Sequence, residues 1–485
     1  MSSEDSNSRN RAGSSPTARH AVVIGGSLAG MLAAAALAPY VDEVTVVERD
    51  VLPARPEARR SLPQAHHAHL LWSGGARAIE SLLPGTTRRW LAAGARRIPL
   101  PTGLVSLSAS GWFRRYPEME FLIACSRDLL DWVVRDQVMA LQRVTVRTST
   151  EMLGLTGSAG QVTGVRIKPR GEPEQTLPAA LVVDCGGRAS RAPLWLEELG
   201  VGPVARVEVD SGLAYASRIF HAPAGTENFP IVNVQSDPRV PVPGQTATIM
   251  PIENERWLVT LSGTRGGQPS GEADEFEAFA RGVRDPVVGE LIAEAKPLTE
   301  VAVTRSTVNR RHLFERTKQW PEGFVAIGDS VATYNPVYGH GMSVAAQGVL
   351  ALRQQLADHG GPGGSPLHSA GFARRVQQAV ARPVSTAWDL ATGQDILYPG
   401  AVGRQPSLTA KVLRRYVDRL MLTATGRPLV TKTLFEVMTL SAPTTALLRP
   451  EVVYAVTRGT KAPPLTAPPL TEAERRFLDR TDAGT

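Results

Sequence analysis

The stretch AVVIGGSLAGMLAAAALA, from Ala21 to Ala38, limits what this chain can fold into more than any other. The uncharged run extends to Val41, long enough to cross a bilayer, and it follows Arg19 and His20 as a secretion signal would. Neither reading survives its neighbours. Gly25 and Gly26 interrupt a continuous helix, and Pro39 ends one. The residues that follow, DEVTVVERD, read as a strand whose partner would be lost if the first segment were cleaved or inserted. The pattern predicts a strand HAVVI, a turn GGS, a helix LAGMLAAAALA and a second strand: a β-α-β unit.

Such a unit presents backbone N–H groups and a helix N-terminus to a pyrophosphate. Gly25 supplies the sharp turn, and Gly30 lets the helix lie close to the sheet. Ser27 stands where the dinucleotide fingerprint has its middle glycine; it is small, and its hydroxyl can donate to phosphate. Leu28 and Ala29 open the helix beside it. Glu48 lies 23 residues after Gly25, at the end of the second strand, placed to accept from ribose hydroxyls, with Arg49 next to it. This much fits FAD or NAD.

About three hundred residues on comes GFVAIGDSVATYNPVYGHGMSVAAQGVLALRQQL. A strand Phe324 to Ile327 runs into Gly328-Asp329, a loop carries Pro336, and Gly339 and Gly341 open a helix to about Leu356, with Met342 in its first turn. Asp329 at a strand end can bind a polyol such as ribityl. A helix N-terminus near Gly341 stabilises negative charge beyond it, as on a reduced flavin.

Together these segments resemble the glutathione-reductase-type FAD domain of class A flavoprotein monooxygenases, the family of p-hydroxybenzoate hydroxylase. The resemblance implies an ADP site at the first motif, ribityl binding by Asp329 and Pro336 over the flavin ring. It also implies cofactor contact by Arg127, in CSRDLLDWVVRDQV, and it places Gln64, His67 and His69 on a segment that crosses near the cofactor. Further blocks, RRSLPQAHHAHLLWSGGARAIESLLPG, VDSGLAYASRIF, STVNRR and NPVYGHGMS, are similar to the flavin epoxidases of polyether antibiotic pathways, the monensin and lasalocid types, from about residue 20 to residue 400. Ser61 departs from the glycine usual there. In VVDCGGRASR, Gly186 stands where aromatic hydroxylases carry the Asp of an Asp-Gly motif that serves FAD and NAD(P)H. The electron source implied is therefore NADPH or NADH, used directly or through a separate flavin reductase.

The predicted fold class is α/β: an FAD-binding, Rossmann-like domain with an inserted mixed β-sheet substrate domain and a C-terminal helical region. Residues 1–18, rich in Ser, Asn and Arg, read as a disordered tail. The FAD domain is assigned to 19–100, 120–205 and 300–358, and the substrate sheet to 101–119 and 206–299. The sheet rests on the alternating runs SGLAYASRIF, FPIVNVQ, QTATIMPI and RWLVTLSG. Tyr215, Arg218, Met250 and Trp257 on it, with Pro336, are the substrate-contact candidates, and Ser262 lies on it too. HGGPGGSP is a flexible linker; helices and a Pro-rich tail fill 367–485.

Cys125 and Cys185 give no disulfide framework, which fits a reducing cytoplasm. The net charge of +7 is spread without a dense basic run among aromatics, which speaks against nucleic acid. His66, His67 and His69 have no companion Cys or acid cluster, so no metal is expected. There is no G-x-S-x-G elbow and no W-x-W-x-I-P halogenase signature. The chain carries no signal for an oligomeric state.

The function expected is a FAD-dependent monooxygenase acting with O2 on a small apolar molecule. The resemblance implies oxygen transfer from a flavin C4a-hydroperoxide to C=C bonds of a large polyene polyketide-like substrate. An alkene needs no protein base, in keeping with the lack of an acid–base pair, and no residue is named as catalytic. The alternatives are hydroxylation or Baeyer–Villiger oxidation of an aromatic polyketide, a flavin reductase or desaturase without oxygen insertion, and a flavoprotein that only binds.

Overall fold

The computed structural model describes residues 19–59, 62–305, 307–359, 367 and 369–482. The expected tail 1–18, Ser61 and most of the expected linker lie outside the described residues.

The opening segment forms strand β1 (His20–Ile24), helix α1 (Leu28–Leu37) and strand β2 (Glu43–Val47). β1 is central in a five-stranded parallel sheet, flanked by β2 and Val144–Arg147 on one side and by Leu181–Asp184 and Phe324–Ala326 on the other. A parallel sheet is covered on both faces, so its strands read as unbroken apolar runs. Ala21, Val22 and Val23 are fully buried. α1 is buried nearly all round, because it is wedged among the sheet and the helices Arg127–Met139 and Gly341–His359. That placement explains why an all-apolar helix is not a membrane span; among the described residues no helix is long and apolar enough to cross one.

Phe324–Ala326, about three hundred residues away in sequence, ends beside Asp184 in the same sheet. The strand register therefore carries Gly328-Asp329 to the same edge as the Gly25 turn. The C-terminal ends of parallel strands are where such sheets hold ligands. The predicted α/β class with an FAD-type domain is what the chain adopts.

A seven-stranded sheet stands apart from this one, in the order Ala302–Thr304, Ala214–His221, Arg256–Gly263, Gln245–Ile252, Ile231–Val234, Leu104–Ser108, Gly111–Trp112. It is not confined to 101–119 and 206–299. Ala302–Thr304 supplies its edge, and Arg206–Asp210 pairs instead with Asn309–His312 and Val402–Gly403. Strand alternation divides this sheet into two faces. Ala216, Phe220, Ala247, Ile249, Trp257, Val259 and Leu261 pack against the helices Ala273–Gly282 and Val287–Ile292. Met250, Ile252 and Leu258 point the other way, into a cluster filled by Leu420, Ala424, Val430, Leu434 and Phe435 of the C-terminal helices. The Pro-rich tail is not loose: Leu465 bridges to Trp112, Leu470 is buried in the outer cluster, and Arg115 pairs with Glu474.

Candidate cofactor-binding site

A cleft of about 1400 Å3 runs from the Gly25 turn to the Pro336 loop. That exceeds the roughly 300–1,000 Å3 of ordinary small-molecule sites. Gly25, Ser27, Leu28, Ala29, Glu48, Arg49, Gln64, Arg127, Asp329, Pro336, Gly339, Gly341 and Met342 all line it.

At the Gly25 end the design is backbone against backbone. Gly25 has φ +94°, and a Cβ there would stand 2.6 Å from the Cys185 carbonyl oxygen. A Cβ on Gly30 would stand 1.8 Å from the Gly25 carbonyl oxygen. Gly30 thus sets the closeness of α1 to the turn and does not itself line the cleft. Ser27 is the N-cap of α1, in extended conformation, yet its hydroxyl makes no capping bond. The helix N-terminus is therefore presented to the cleft, as an anion site requires. Glu48 Oε2 accepts from Gly26 N at 2.7 Å, and Oε1 accepts from Asp50 N at 2.8 Å. Those bonds hold the carboxylate at the strand end that a ribose would reach.

Arg59 is the residue that sequence reasoning missed here. It is buried, pairs with Glu48 at 2.8 Å, and donates to Ser27 Oγ at 3.3 Å. Its signal was buried in the RPEARRSLPQ run, where no spacing distinguishes one arginine from another.

Toward the Pro336 loop, Arg127 opens its helix behind the Ser126 N-cap, whose hydroxyl accepts from Leu129 N. Arg127 Nε donates to Asp131 Oδ1 at 2.8 Å, fixing a cation at the cleft wall. Asp329 is solvent-accessible at the cleft floor but walled in by protein. Desolvation pushes its carboxyl above the usual range, against the pull of Arg127 and Arg188. His69 hydrogen-bonds to the Gln64 carbonyl oxygen at 2.8 Å; burial and the Arg127 charge bring its pKa down to about 3. His340, just before the Gly341 helix, is buried with its Nε2 bonded to the Met438 carbonyl oxygen. Burial lowers its pKa to about 4, and its Nδ1 has no protein partner. His67 bridges Ser217 and Thr304, each at 2.8 Å, and is held neutral at about 4 by desolvation.

Two helix N-termini on one cleft, a carboxylate lining it, a Gly25 turn too tight for any side chain, and a buried imidazole nitrogen without a hydrogen-bond partner among the described residues fit FAD. Asp184 is committed elsewhere: it accepts from Gly186 N and from Ser190 Oγ. A Cβ on Gly186 would lie 3.0 Å from Asp184 Oδ1, so this turn is built around the glycine.

The substrate-contact candidates do not gather. Pro336 lines the cleft. Tyr215 turns the right way and donates to Asn335 Oδ1 at 2.6 Å, behind the Pro336 loop. Met250 is fully buried under the C-terminal helices. Trp257 and Arg218 fall on the outer face, Trp257 against Phe229 and Arg218 over the Phe220 ring. An even number of residues along a strand keeps a face and an odd number changes it, which separates Arg218 from Tyr215.

The FAD binding domain family model matches residues 116–381. Protein Rv3254 of Mycobacterium tuberculosis is 32% identical over 350 residues, covering 70% of this chain and 73% of that protein. Among solved structures, the chain is similar to a triple mutant of the flavin-dependent brominase Bmp2 (TM-score 0.63, 14% identity, 90% of this chain and 99% of that one). It is also similar to PqsL, a probable FAD-dependent monooxygenase from Pseudomonas aeruginosa (TM-score 0.55, 21% identity, 78% and 98%), and to the myxobacterial chondrochloren halogenase CndH (TM-score 0.59, 16% identity, 91% and 98%). At these identities the structural likenesses speak for the fold. With the family match spanning more than half of the chain, this protein belongs to the FAD binding domain family.

Proposed function

We propose that the chain is a cytoplasmic FAD-dependent epoxidase of bacterial secondary metabolism, acting on C=C bonds of a large apolar, polyene polyketide-like substrate. Bound FAD supplies the redox chemistry with O2. The nucleotide is held by the Gly25–Gly30 turn, Glu48 and Arg59, the ribityl by Asp329, and the ring lies at Pro336 and the Gly341 helix, with Arg127 and Gln64 on the facing wall. The observation that carries the reading is that the cleft wall near Pro336 presents no paired acid and base. His69 and His340 each spend Nε2 on a backbone carbonyl oxygen, and burial leaves both imidazoles weak bases. Asp329 belongs to the ribityl position. Such a wall suits oxygen transfer to an alkene, which requires no proton abstraction, better than activation of a phenol, which does. The chain's own contribution is to bind, orient and exclude water.

Reducing equivalents come from NADPH or NADH, and we place a separate flavin reductase between them and this protein. Gly186 replaces the motif acid, and Asp184 is tied to Gly186 N and Ser190. The test has two arms. Anaerobic NADPH alone should bleach the flavin slowly, with an added reductase restoring the rate; rapid bleaching by NADPH alone removes the reductase from the scheme. Turnover of a polyene under labelled O2 should give a labelled epoxide or its diol. A labelled phenol or ester, a halogenated product, or turnover without label each sinks the epoxidase reading.

A further inference from the structure

The loop that carries Pro336 is secured from behind by a carboxylate that no cofactor motif contains. Asp395 is the last residue of the long helix Phe372–Asp395 and is 1% exposed. Its Oδ2 accepts from Asn335 Nδ2 at 2.9 Å and from Asn309 Nδ2 at 2.6 Å, and its Oδ1 accepts from the Tyr338 hydroxyl at 2.7 Å. Ser211 is a fourth partner, and all four are uncharged. Asn335 and Tyr338 lie on either side of Pro336. Asn335 is further fixed by its N–H to Asn309 Oδ1 at 2.7 Å and by the Tyr215 hydroxyl at 2.6 Å.

The position is unfavourable for an acid on general grounds. A carboxylate at a helix C-terminus meets the negative end of the dipole, and burial without a cation disfavours its charge. Four neutral donors aimed at the two oxygens offset this, and an acceptor-only group is what they select. An asparagine in its place would present an NH2 to at least one facing donor.

We infer that Asp395 is a positioning residue for the flavin: through Asn335 and Tyr338 it sets the height and tilt of the Pro336 turn against the ring. The C-terminal region thereby becomes part of the cofactor site although its helix does not line the cleft. The inference rests on the ring lying at Pro336, as proposed above.

The experiment compares wild type, Asp395→Asn and Tyr338→Phe by FAD titration of the apoprotein, visible absorption and circular dichroism of the bound flavin, and thermal melting. Asp395→Asn should bind FAD about ten-fold more weakly, the fold-change of one unsatisfied buried hydrogen bond. It should also shift the flavin bands. Tyr338→Phe, which removes a single donor and keeps the ring, should shift the bands in the same direction with a smaller loss of affinity. A lowered melting temperature with unchanged flavin spectra and affinity in both variants overturns the inference. If Asp395→Asn does not fold, an unchanged spectrum in folded Tyr338→Phe overturns it alone. Wild-type protein that takes up no FAD defeats the cofactor reading as well, so the two failures are distinguishable.

Discussion

At the Gly25 end of the cleft the chain meets itself through backbone: Gly25 against Cys185, Gly30 against Gly25, the α1 N-terminus open beside Ser27. At the other end the Pro336 loop hangs, through Asn335, on side chains drawn from three separate parts of the chain, Tyr215, Asn309 and Asp395. The first design tolerates no added atom, because carbonyl oxygens cannot move aside. The second tolerates change in proportion to the hydrogen bonds lost. The ends should therefore fail differently, one abruptly and one by degrees.

The abrupt failure comes first. Gly25→Ala puts a Cβ 2.6 Å from the Cys185 oxygen at a φ of +94°, where L side chains are strained. The variant should be recovered without FAD or not fold, with a loss of several kcal/mol, about 3 or more. Ser27→Leu should fold, since Ser27 has room toward the cleft, but purify colourless because the side chain occupies the phosphate position. Full FAD occupancy of Ser27→Leu would show that the pyrophosphate lies elsewhere.

Acid separates the ends next. The neutral histidines His69 and His340 line the cleft, and His67 is bonded to Ser217 and Thr304 of the large sheet; no histidine belongs to the Gly25 turn. His67 and His340 have folded pKa values of about 4 against 6.5 for the free side chain, so between these values the unfolded chain binds more protons than the folded one. Stability is then complete above pH 6.5 and lost as pH falls toward 4. The loss amounts to about 3 kcal/mol for each group once both states are protonated. Urea midpoints at pH 7 and pH 5 read the part already lost by pH 5, about 2 kcal/mol for each group. His67→Gln keeps hydrogen bonding to Ser217 and Thr304 possible and should flatten the pH dependence; an equally steep fall in that variant removes His67 from the account.

The same contrast governs what could be read before any coordinates. A backbone-to-backbone contact demands glycine at set spacings, and so Gly25 and Gly30 are visible in the sequence; Gly339 and Gly341 are visible as the turn that opens a helix, and the strand alternation that makes the large sheet is visible too. Asp395 and Asn309 lie 60 and 26 residues from Asn335, and nothing periodic links them. Arg59 hides among neighbouring arginines. Arg218 and Trp257 were chosen for chemistry on a strand whose facing direction is set by tertiary packing. That the region after residue 367 is helical was legible, but that the helices Leu408–Ala424 and Pro428–Met438 fill the space around Met250 is a property of the assembled core.

The finest test compares two neighbours on one strand. Tyr215 and Arg218 are three residues apart, so they face opposite sides of the sheet. Tyr215→Phe removes the hydroxyl that donates to Asn335 Oδ1, while Val337 N still donates to that oxygen at 3.2 Å. The loss should be about 1 kcal/mol, read as roughly five-fold weaker FAD binding and a small shift in the flavin bands. Arg218→Ala removes the bond from Nε to the Thr299 carbonyl oxygen and the contact over Phe220. It should cost about 1 kcal/mol of stability and leave FAD affinity within about two-fold of wild type. The pair separates position from chemistry, because the two substitutions cost the fold similar amounts and differ only in which face they disturb. Arg218→Ala weakening FAD as much as Tyr215→Phe would mean that the flavin end responds to the stability of the whole sheet, and the division into two faces would lose its functional meaning.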